Sequence, residues 1–231
     1  MNNLAAAIYM TSQGVPFLQA GEEMLRTKVN ADGSFNSNSY NSGDEVNGIR
    51  WSNLEQEEYR QVMDYYKGLI AFRKEHGVLR LDDAQAVKEH VRKADDVPDN
   101  VLAFNLTGGV EGETEKMFVI FNPNPEATEV AVPAGGWSVY VDSEKAGTEA
   151  LEGVSGKVSV EPISAMILIK DESVPVTEEP DAEGETSEDT EDVSKPAAKE
   201  SMSGVLIGVI CAVALAVVGG ILIVLGNGKK K

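Results

Sequence analysis

Apolar residues recur at helical spacing in parts of the first hundred residues. Residues 3–13 have this spacing and stop before Gly14, which predicts a helix ended by glycine. The apolar run at residues 15–20 is typical of a short buried strand. Residues 52–55, Ser-Asn-Leu-Glu, match a capping box and predict a longer helix that runs to about His76 and stops at Gly77. A shorter helix is predicted over residues 83–91.

The pattern changes after residue 100, where short segments alternate or are rich in β-branched and aromatic residues. Turn sequences separate them, notably Asn-Pro-Asn-Pro at 122–125 and Ala-Gly-Gly at 134–136. Short strands at this spacing predict a small antiparallel β-sandwich. Trp137 and Tyr140 lie within a strand, so we interpret them as packing residues rather than a sugar platform. The predicted strands are 101–106, 117–121, 128–132, 137–141, 157–160 and 165–169.

Residues 204–225 form an apolar run without a charge, followed by a tail, residues 226–231, that ends in three lysines. At roughly 1.5 Å per residue, a helix of this length covers the hydrocarbon core of a bilayer, so we predict one transmembrane helix. Because cationic flanks resist translocation, the tail is predicted to be cytoplasmic and the preceding residues extracellular. The first residues do not resemble a signal peptide, so we expect a preceding segment to be missing.

Charge is concentrated in one segment. The net charge is −18, and residues 171–200 hold 12 acidic residues against 2 lysines. With almost no large apolar side chains, residues 171–203 cannot offset their ordering entropy, so we predict a disordered stalk. A tail that serves only solubility is the alternative. Proteins that bind nucleic acid are normally basic, so no nucleic-acid partner is expected.

Cysteine and histidine are scarce. The single cysteine, Cys211, lies in the predicted membrane helix, which excludes a disulfide framework and a cysteine-based metal site. Two histidines, His76 and His90, leave little for zinc. We therefore expect neither a metal nor a cofactor.

Residues 30–51 form a long loop crowded with Asn, Ser and Gly. Loops of this length are usually functional or disordered. Their amides, carboxylates and hydroxyls suit sugar hydroxyls, and Tyr40 or Phe35 could stack on a sugar ring. The same residues could merely satisfy turn geometry. A calcium loop is disfavoured because residues 30–33 lack the alternating acidic pattern.

Several blocks, in order, strongly resemble the end of type I pullulanases. These are debranching enzymes of the α-amylase superfamily, glycoside hydrolase family 13, that act on α-1,6 links in pullulan, amylopectin and glycogen. The resemblance covers about residues 3–170. It is carried by TSQGVPFLQAGEE at 11–23, LRTK at 25–28, NSYNSGDEVN at 38–47, YYKGLI at 65–70, KAGTEAL at 145–151 and PISAM at 162–166.

The resemblance implies an α/β fold. Residues 1–92 correspond to the end of a (β/α)₈ barrel, and residues 93–170 to the β-sandwich domain that follows it. Barrel active sites lie at the carboxyl ends of the strands, where the loop should emerge. We therefore predict that Tyr40, Asn41, Asp44 and Asn47 line the substrate cleft.

The resemblance places the catalytic carboxylates upstream, so this chain is expected to hold none of them. Glu22 and Glu23 are a tempting pair, but adjacent strand residues point to opposite faces. We interpret them as structural residues that brace the barrel rim.

The chain is thus predicted to be the C-terminal part of a membrane-anchored, cell-surface pullulanase that is inactive by itself. Its partners would be α-glucans and, through the apolar helix, the membrane. A non-catalytic surface protein that binds α-glucan or supports another chain is the main alternative. A tail-anchored intracellular protein is disfavoured because its lysines would then be translocated.

Overall fold

The computed structural model describes residues 1–108 and 115–176, which lie within one compact unit spanning Met1–Asp181. Its first helix, α1, covers Asn2–Thr11. The predicted helix is confirmed but ends two residues early, because Ser12 turns to an extended conformation. Gly14 follows with a φ of 88°, in the left-handed region that suits glycine.

The predicted strand at residues 15–20 is wrong for this chain. These residues have no regular secondary structure, and Val15 and Phe17 are 96% and 92% exposed. A strand needs a neighbour to take up its backbone hydrogen bonds, and the described residues offer none here. We call residues 15–20 the exposed segment.

The capping-box prediction is also wrong. Residues Trp51–Glu55 form a 3₁₀ turn, and the long helix α3 begins after it, at Glu57–Glu75, without a side-chain cap. Its C-cap is His76, and Gly77–Arg80 continue as a second 3₁₀ turn. A four-residue helix, α2, covers Asp44–Asn47.

The predicted helix at 83–91 is confirmed as α4, Ala84–His90. Its N-cap, Asp83, accepts a hydrogen bond from the amide of Gln85 at 2.9 Å. This side chain satisfies one of the free amides of the first turn, which explains where the helix starts.

All six predicted strands are present, and two short strands, β1 and β6, were missed. The strands are β1 Val91–Lys93, β2 Leu102–Thr107, β3 Lys116–Asn122, β4 Thr128–Ala131, β5 Trp137–Val141, β6 Glu152–Val154, β7 Lys157–Val160 and β8 Ser164–Lys170. Six form a sheet in the order β1-β2-β3-β8-β5-β6, and β4 pairs with β7 in a second sheet. Every pairing is antiparallel, as expected.

The main sheet is buried on both faces. On one face, Phe118 and Trp137 pack in a cluster with residues of β4 and β7. On the other face, Met117 and Ile167 share a cluster with residues of α1 and α3. Burial on two faces explains why β3 is a nearly continuous apolar run. We call residues 91–170 the β domain.

Trp137 is a packing residue, as predicted. Its ring is buried, its indole N–H donates to the carbonyl of Pro133 at 2.6 Å, and its centroid lies 6.3 Å from that of Phe118. Tyr140 faces the helical side, where its ring lies 6.0 Å from Phe72. Neither ring forms an open sugar platform.

The stalk, membrane helix and tail predicted at 171–203, 204–225 and 226–231 lie outside the described residues, apart from 171–176. Within the described part, no helix is long and apolar enough to cross a membrane. The proposed boundaries between the barrel part and the β domain stay a prediction.

Candidate functional site

The loop of residues 30–48, called the site loop, is held in shape by its own amides. Asn36 donates to the side chain of Asn30 at 2.9 Å and accepts from the amide of Asn38 at 3.0 Å. Such bonds between Asn side chains and nearby backbone form tight turns. The Asn residues that suggested sugar contact therefore also stabilise the loop itself.

A turn at the start of the site loop contains Asp32. Its carboxylate accepts from the hydroxyl of Ser34 at 2.7 Å and from the amide of Ser34 at 3.0 Å. These hydrogen bonds lower the pKa of Asp32 from its usual value. Gly33, between them, takes a left-handed φ of 84°.

Tyr40 and Asn41 stand at the tip of a turn. The amide of Ser42 donates to the carbonyl of Ser39 at 3.0 Å, which closes the turn around the two predicted residues. Tyr40 is 84% exposed and Asn41 is also exposed. Both side chains are free to meet a ligand, as the prediction requires.

Asp44 and Asn47 are the first and last residues of α2, and they differ. Asp44 is exposed. Asn47 is half-buried, and its amide donates to the carbonyls of Ser39 at 2.6 Å and Ser42 at 2.9 Å. All four predicted residues thus lie in one short stretch of the site loop. The side-chain N–H groups of Asn47, however, donate to carbonyls of that loop and not to solvent.

Glu22 and Glu23 are held by local contacts. They lie in a 3₁₀ turn, Glu22–Met24, so the expectation that they alternate along a strand is wrong. Glu22 accepts from the hydroxyl of Tyr9 at 3.2 Å and from the amide of Gln19 at 2.8 Å. Glu23 accepts from the amide of Gly21 at 2.8 Å. Both carboxylates close the turn that follows the exposed segment.

Tyr9 and Tyr66 support this turn from the helices. Asn2 donates to the hydroxyl of Tyr66 at 3.1 Å and to the carbonyl of Glu22 at 3.3 Å. Burial, together with Tyr66 and Glu22, raises the pKa of Tyr9 far above its usual value. Burial also raises the pKa of Tyr66. Both phenols are therefore neutral at physiological pH, and their hydroxyls hold the turn through hydrogen bonds.

Two features of this region escaped the sequence analysis. Trp51 is 62% exposed just after the site loop, and its position beside that loop was the only available signal. Arg26 joins two parts of the region through its guanidinium. Nothing in a single sequence distinguishes such an arginine from a solvated one.

A separate groove of about 850 Å³ runs between α3 and residues 143–151. Tyr65 lines the groove, and its hydroxyl donates to the carbonyl of Asp142 at 3.0 Å. None of the four predicted site residues lines it. Among the described residues, no group of three or more His, Cys, Asp or Glu side chains is placed to hold a metal ion.

Comparison with known proteins supplies an independent view. Residues 87–145 match the family model described as "Pullulanase, all-beta domain". A pullulanase of Bacillus subtilis is 32% identical over 131 residues, which is 56% of this chain and 17% of that protein. An isoamylase of Flavobacterium is 30% identical over 158 residues, covering 59% of this chain and 18% of that protein.

Solved structures agree. The pullulanase from Bacillus acidopullulyticus superimposes with a TM-score of 0.66 at 36% identity, over 73% of this chain and 20% of that chain. A pullulanase from Anoxybacillus, complexed with maltotetraose, gives a TM-score of 0.59 at 29% identity, over 74% of this chain and 23% of that chain. The chain thus spans about a fifth of the length of these relatives, and the predicted resemblance is confirmed.

Proposed function

We propose that this chain, a pullulanase-type segment, forms the C-terminal part of a debranching enzyme that hydrolyses α-1,6 links in α-glucans such as pullulan, amylopectin and glycogen. In this proposal residues 1–92 close a (β/α)₈ barrel, and Tyr40, Asn41, Asp44 and Asn47 line the substrate cleft. The relatives named above support the proposal.

The observation that carries the proposal is the exposed segment. Val15 and Phe17 are more than nine-tenths exposed, although burying each would contribute roughly 1.5–3 kcal/mol. Directly before this segment, Arg73 donates to the carbonyls of Met10 at 2.7 Å and Gly14 at 2.6 Å. The segment is anchored in this way, yet residues 1–108 and 115–176 supply no strand beside it, which fits a barrel whose other strands lie elsewhere.

The chemistry then requires residues outside this chain. Retaining glycoside hydrolysis uses two carboxylates about 5 Å apart, one as nucleophile and one as acid and base. Glu22 and Glu23 are both occupied by backbone amides of their own turn. We therefore assign them a structural role at the barrel rim, and we assign this chain a part in binding and shaping the cleft.

The site loop would contribute hydrogen bonds and one aromatic surface. Asp44, exposed at the start of α2, would accept from sugar hydroxyls, and such charge-assisted bonds are worth roughly 1.5–3 kcal/mol each. Tyr40 would cover the apolar face of a glucose ring. Both side chains can do so without rearranging the loop, because neither supports it.

We also propose a cell-surface location. The charge-free run at 204–225 with three following lysines supports a membrane helix with a cytoplasmic tail, and the acidic residues 171–203 support a stalk. Fractionation of cells that express the chain tests this proposal. Recovery in the soluble fraction, or resistance of residues 1–170 to protease added outside intact cells, would contradict it.

Complementation tests the enzymatic proposal. The chain alone should release no reducing sugar from pullulan. Mixed with a Bacillus subtilis pullulanase that lacks the matching segment, it should restore hydrolysis, and Phe17→Asp should abolish that restoration. Val176→Asp, at an exposed apolar residue near the end of the described part, is the matched control. Hydrolysis by the chain alone would overturn the assignment.

A second candidate is a non-catalytic surface protein that binds α-glucan or supports another chain. It is favoured by the core that α1, α3 and the main sheet share, which belongs to one compact unit. If this candidate is right, the chain alone binds glucan, and it restores hydrolysis to no truncated relative with which it is mixed.

A further inference from the structure

Arg26 lies where two distant parts of the N-terminal region meet. Its Nη1 donates to the carbonyl of Ala20 at 2.9 Å, and its Nη2 donates to the carbonyl of Asn47. One guanidinium therefore ties the end of the exposed segment to the end of the site loop. The planar fork of arginine suits this task, since it offers donors in two fixed directions.

The backbone around Arg26 is arranged to hold it there. Leu25 takes a left-handed φ of 53°, which is strained for a leucine, and Gly21 takes a φ of 98°. The amide of Arg26 donates to the carbonyl of Gly21 at 2.9 Å. A Cβ at Gly21 would lie 2.5 Å from Cδ of Arg26. Two unusual backbone conformations thus accompany the placement of one side chain.

Asn47 connects Arg26 to the tip of the site loop. Its side-chain amide donates to the carbonyls of Ser39 and Ser42, the first and last residues of the turn that carries Tyr40 and Asn41. Ser39 is buried, so one end of the turn is also fixed by packing. The orientation of the tip therefore depends on Asn47, and the position of Asn47 depends on Arg26.

We propose that Arg26 is a positioning residue which, through Asn47, holds the Tyr40–Asn41 turn in the orientation that meets an α-glucan. The inference rests on the proposed function, because it takes glucan contact by the site loop as given. It also changes the role of Asn47. With both amide hydrogens donated to the turn, Asn47 acts by shaping the loop rather than by donating to the sugar.

The test uses the full 231-residue protein and the variant Arg26→Lys, which keeps the charge and loses the fork. The hydrogen-exchange rate of the Ser42 amide should rise about tenfold, since the turn loses its anchor. The affinity for maltotriose, measured by calorimetry, should fall about fivefold or more. Arg60→Lys, at an exposed arginine of α3, should change neither quantity.

Two further variants guard against a general loss of folding. Asn47→Asp removes the donors to Ser39 and Ser42 from an accessible loop, and it should speed Ser42 exchange as Arg26→Lys does. Arg26→Ala should recover Ser42 protection when ethylguanidine is added, which a globally unfolded protein would not do. Tyr40→Ala should abolish maltotriose binding while Ser42 exchange stays at the wild-type rate.

The outcomes separate the two proposals. Unchanged Ser42 exchange in both Arg26→Lys and Asn47→Asp would overturn the positioning role, as would faster exchange with unchanged maltotriose affinity. The wild-type protein could bind no maltotriose while Arg26→Lys and Asn47→Asp both speed exchange of the Ser42 amide. In that case Arg26 would still position the turn, and glucan contact by the isolated chain would be refuted.

Discussion

Two regions of this molecule differ in how far their large apolar side chains are exposed to solvent. In the β domain, Phe118 is 2% exposed and packs within a sheet buried on both faces. In the exposed segment, Phe17 lies almost entirely in solvent, and Tyr40 and Trp51, further along the N-terminal region, are also exposed. Residues of the same chain bury the apolar side chains of the first region, whereas the described residues do not cover those of the second.

The difference between the two regions is tested most directly by making the same substitution, Phe to Ala, in each. Phe118→Ala should lower the free energy of unfolding by about 3–5 kcal/mol, because it removes buried contacts and leaves a cavity. Phe17→Ala should change it by less than about 0.5 kcal/mol. Urea denaturation followed by circular dichroism measures both. A large loss at Phe17 would mean that the exposed segment is already packed in solution.

A second test concerns the join between α3 and the residues directly before the exposed segment. Arg73 is buried, and its guanidinium donates to the carbonyls of Met10, Ser12 and Gly14. Arg73→Met should cost about 2–3 kcal/mol, since buried carbonyls lose charge-assisted bonds. Arg60→Met, on the exposed face of α3, is the matched control. Equal melting temperatures for the two variants would show that the join is not needed.

A third test uses two glycines with similar backbones. Gly14 and Gly21 both have left-handed φ values, of 88° and 98°. A Cβ at Gly14 would meet nothing within 4 Å, whereas one at Gly21 would press on Arg26. Gly14→Ala should therefore cost about 1 kcal/mol, and Gly21→Ala about 2 kcal/mol, in denaturant unfolding. Identical costs would mean that Arg26 moves aside freely.

The smallest expected effect compares two aspartates. Hydrogen bonds from Ser173 and Ser138 lower the pKa of Asp171 from its usual value, and bonds from Ser34 lower the pKa of Asp32. A lowered carboxyl pKa stabilises the fold above the unfolded value, and this contribution is lost as pH falls through the folded value.

Asp171→Asn should therefore reduce the melting temperature slightly at pH 7, and the difference from wild type should shrink as pH falls through the folded pKa of Asp171, since its carboxyl is then protonated. Asp32→Asn should reduce the melting temperature by less, because the bonds to Asp32 come from Ser34 in the same turn, whereas Asp171 also accepts from Ser138 of β5. A difference for Asp171→Asn that stays constant as the pH is lowered would assign its effect to packing.

The regions also differ in how well their sequences predict them. Every predicted strand of the β domain is present because its neighbours lie within the same chain. β1 and β6 were missed because three residues carry too little pattern, and because Val91 also continues the pattern of α4. Residues 15–20 read as a strand on pattern alone, but a strand requires partners that the described residues do not supply.

The candidate site was predictable in part. The turn that presents Tyr40 and Asn41 lies where the loop sequence suggested, with both side chains exposed. The bridge made by Arg26 depends on a contact with Asn47, 21 residues away, and the inward role of the Asn47 amide depends on how the loop folds around Ser39 and Ser42. Composition indicated that the loop has polar groups, but it could not indicate which of them the loop itself uses.

The position of β8 has a consequence for synthesis. This strand, Ser164–Lys170, lies between β3 and β5 in the centre of the sheet. Its residue Ile167 shares a core with Leu4 and Met10 of α1. α1 can pack against α3 once Glu57–Glu75 has left the ribosome, but its contacts with β8 form only after Ser164–Lys170 has emerged. At about 5–20 residues per second, the part of α1 that meets β8 therefore stays uncovered for roughly ten to thirty seconds.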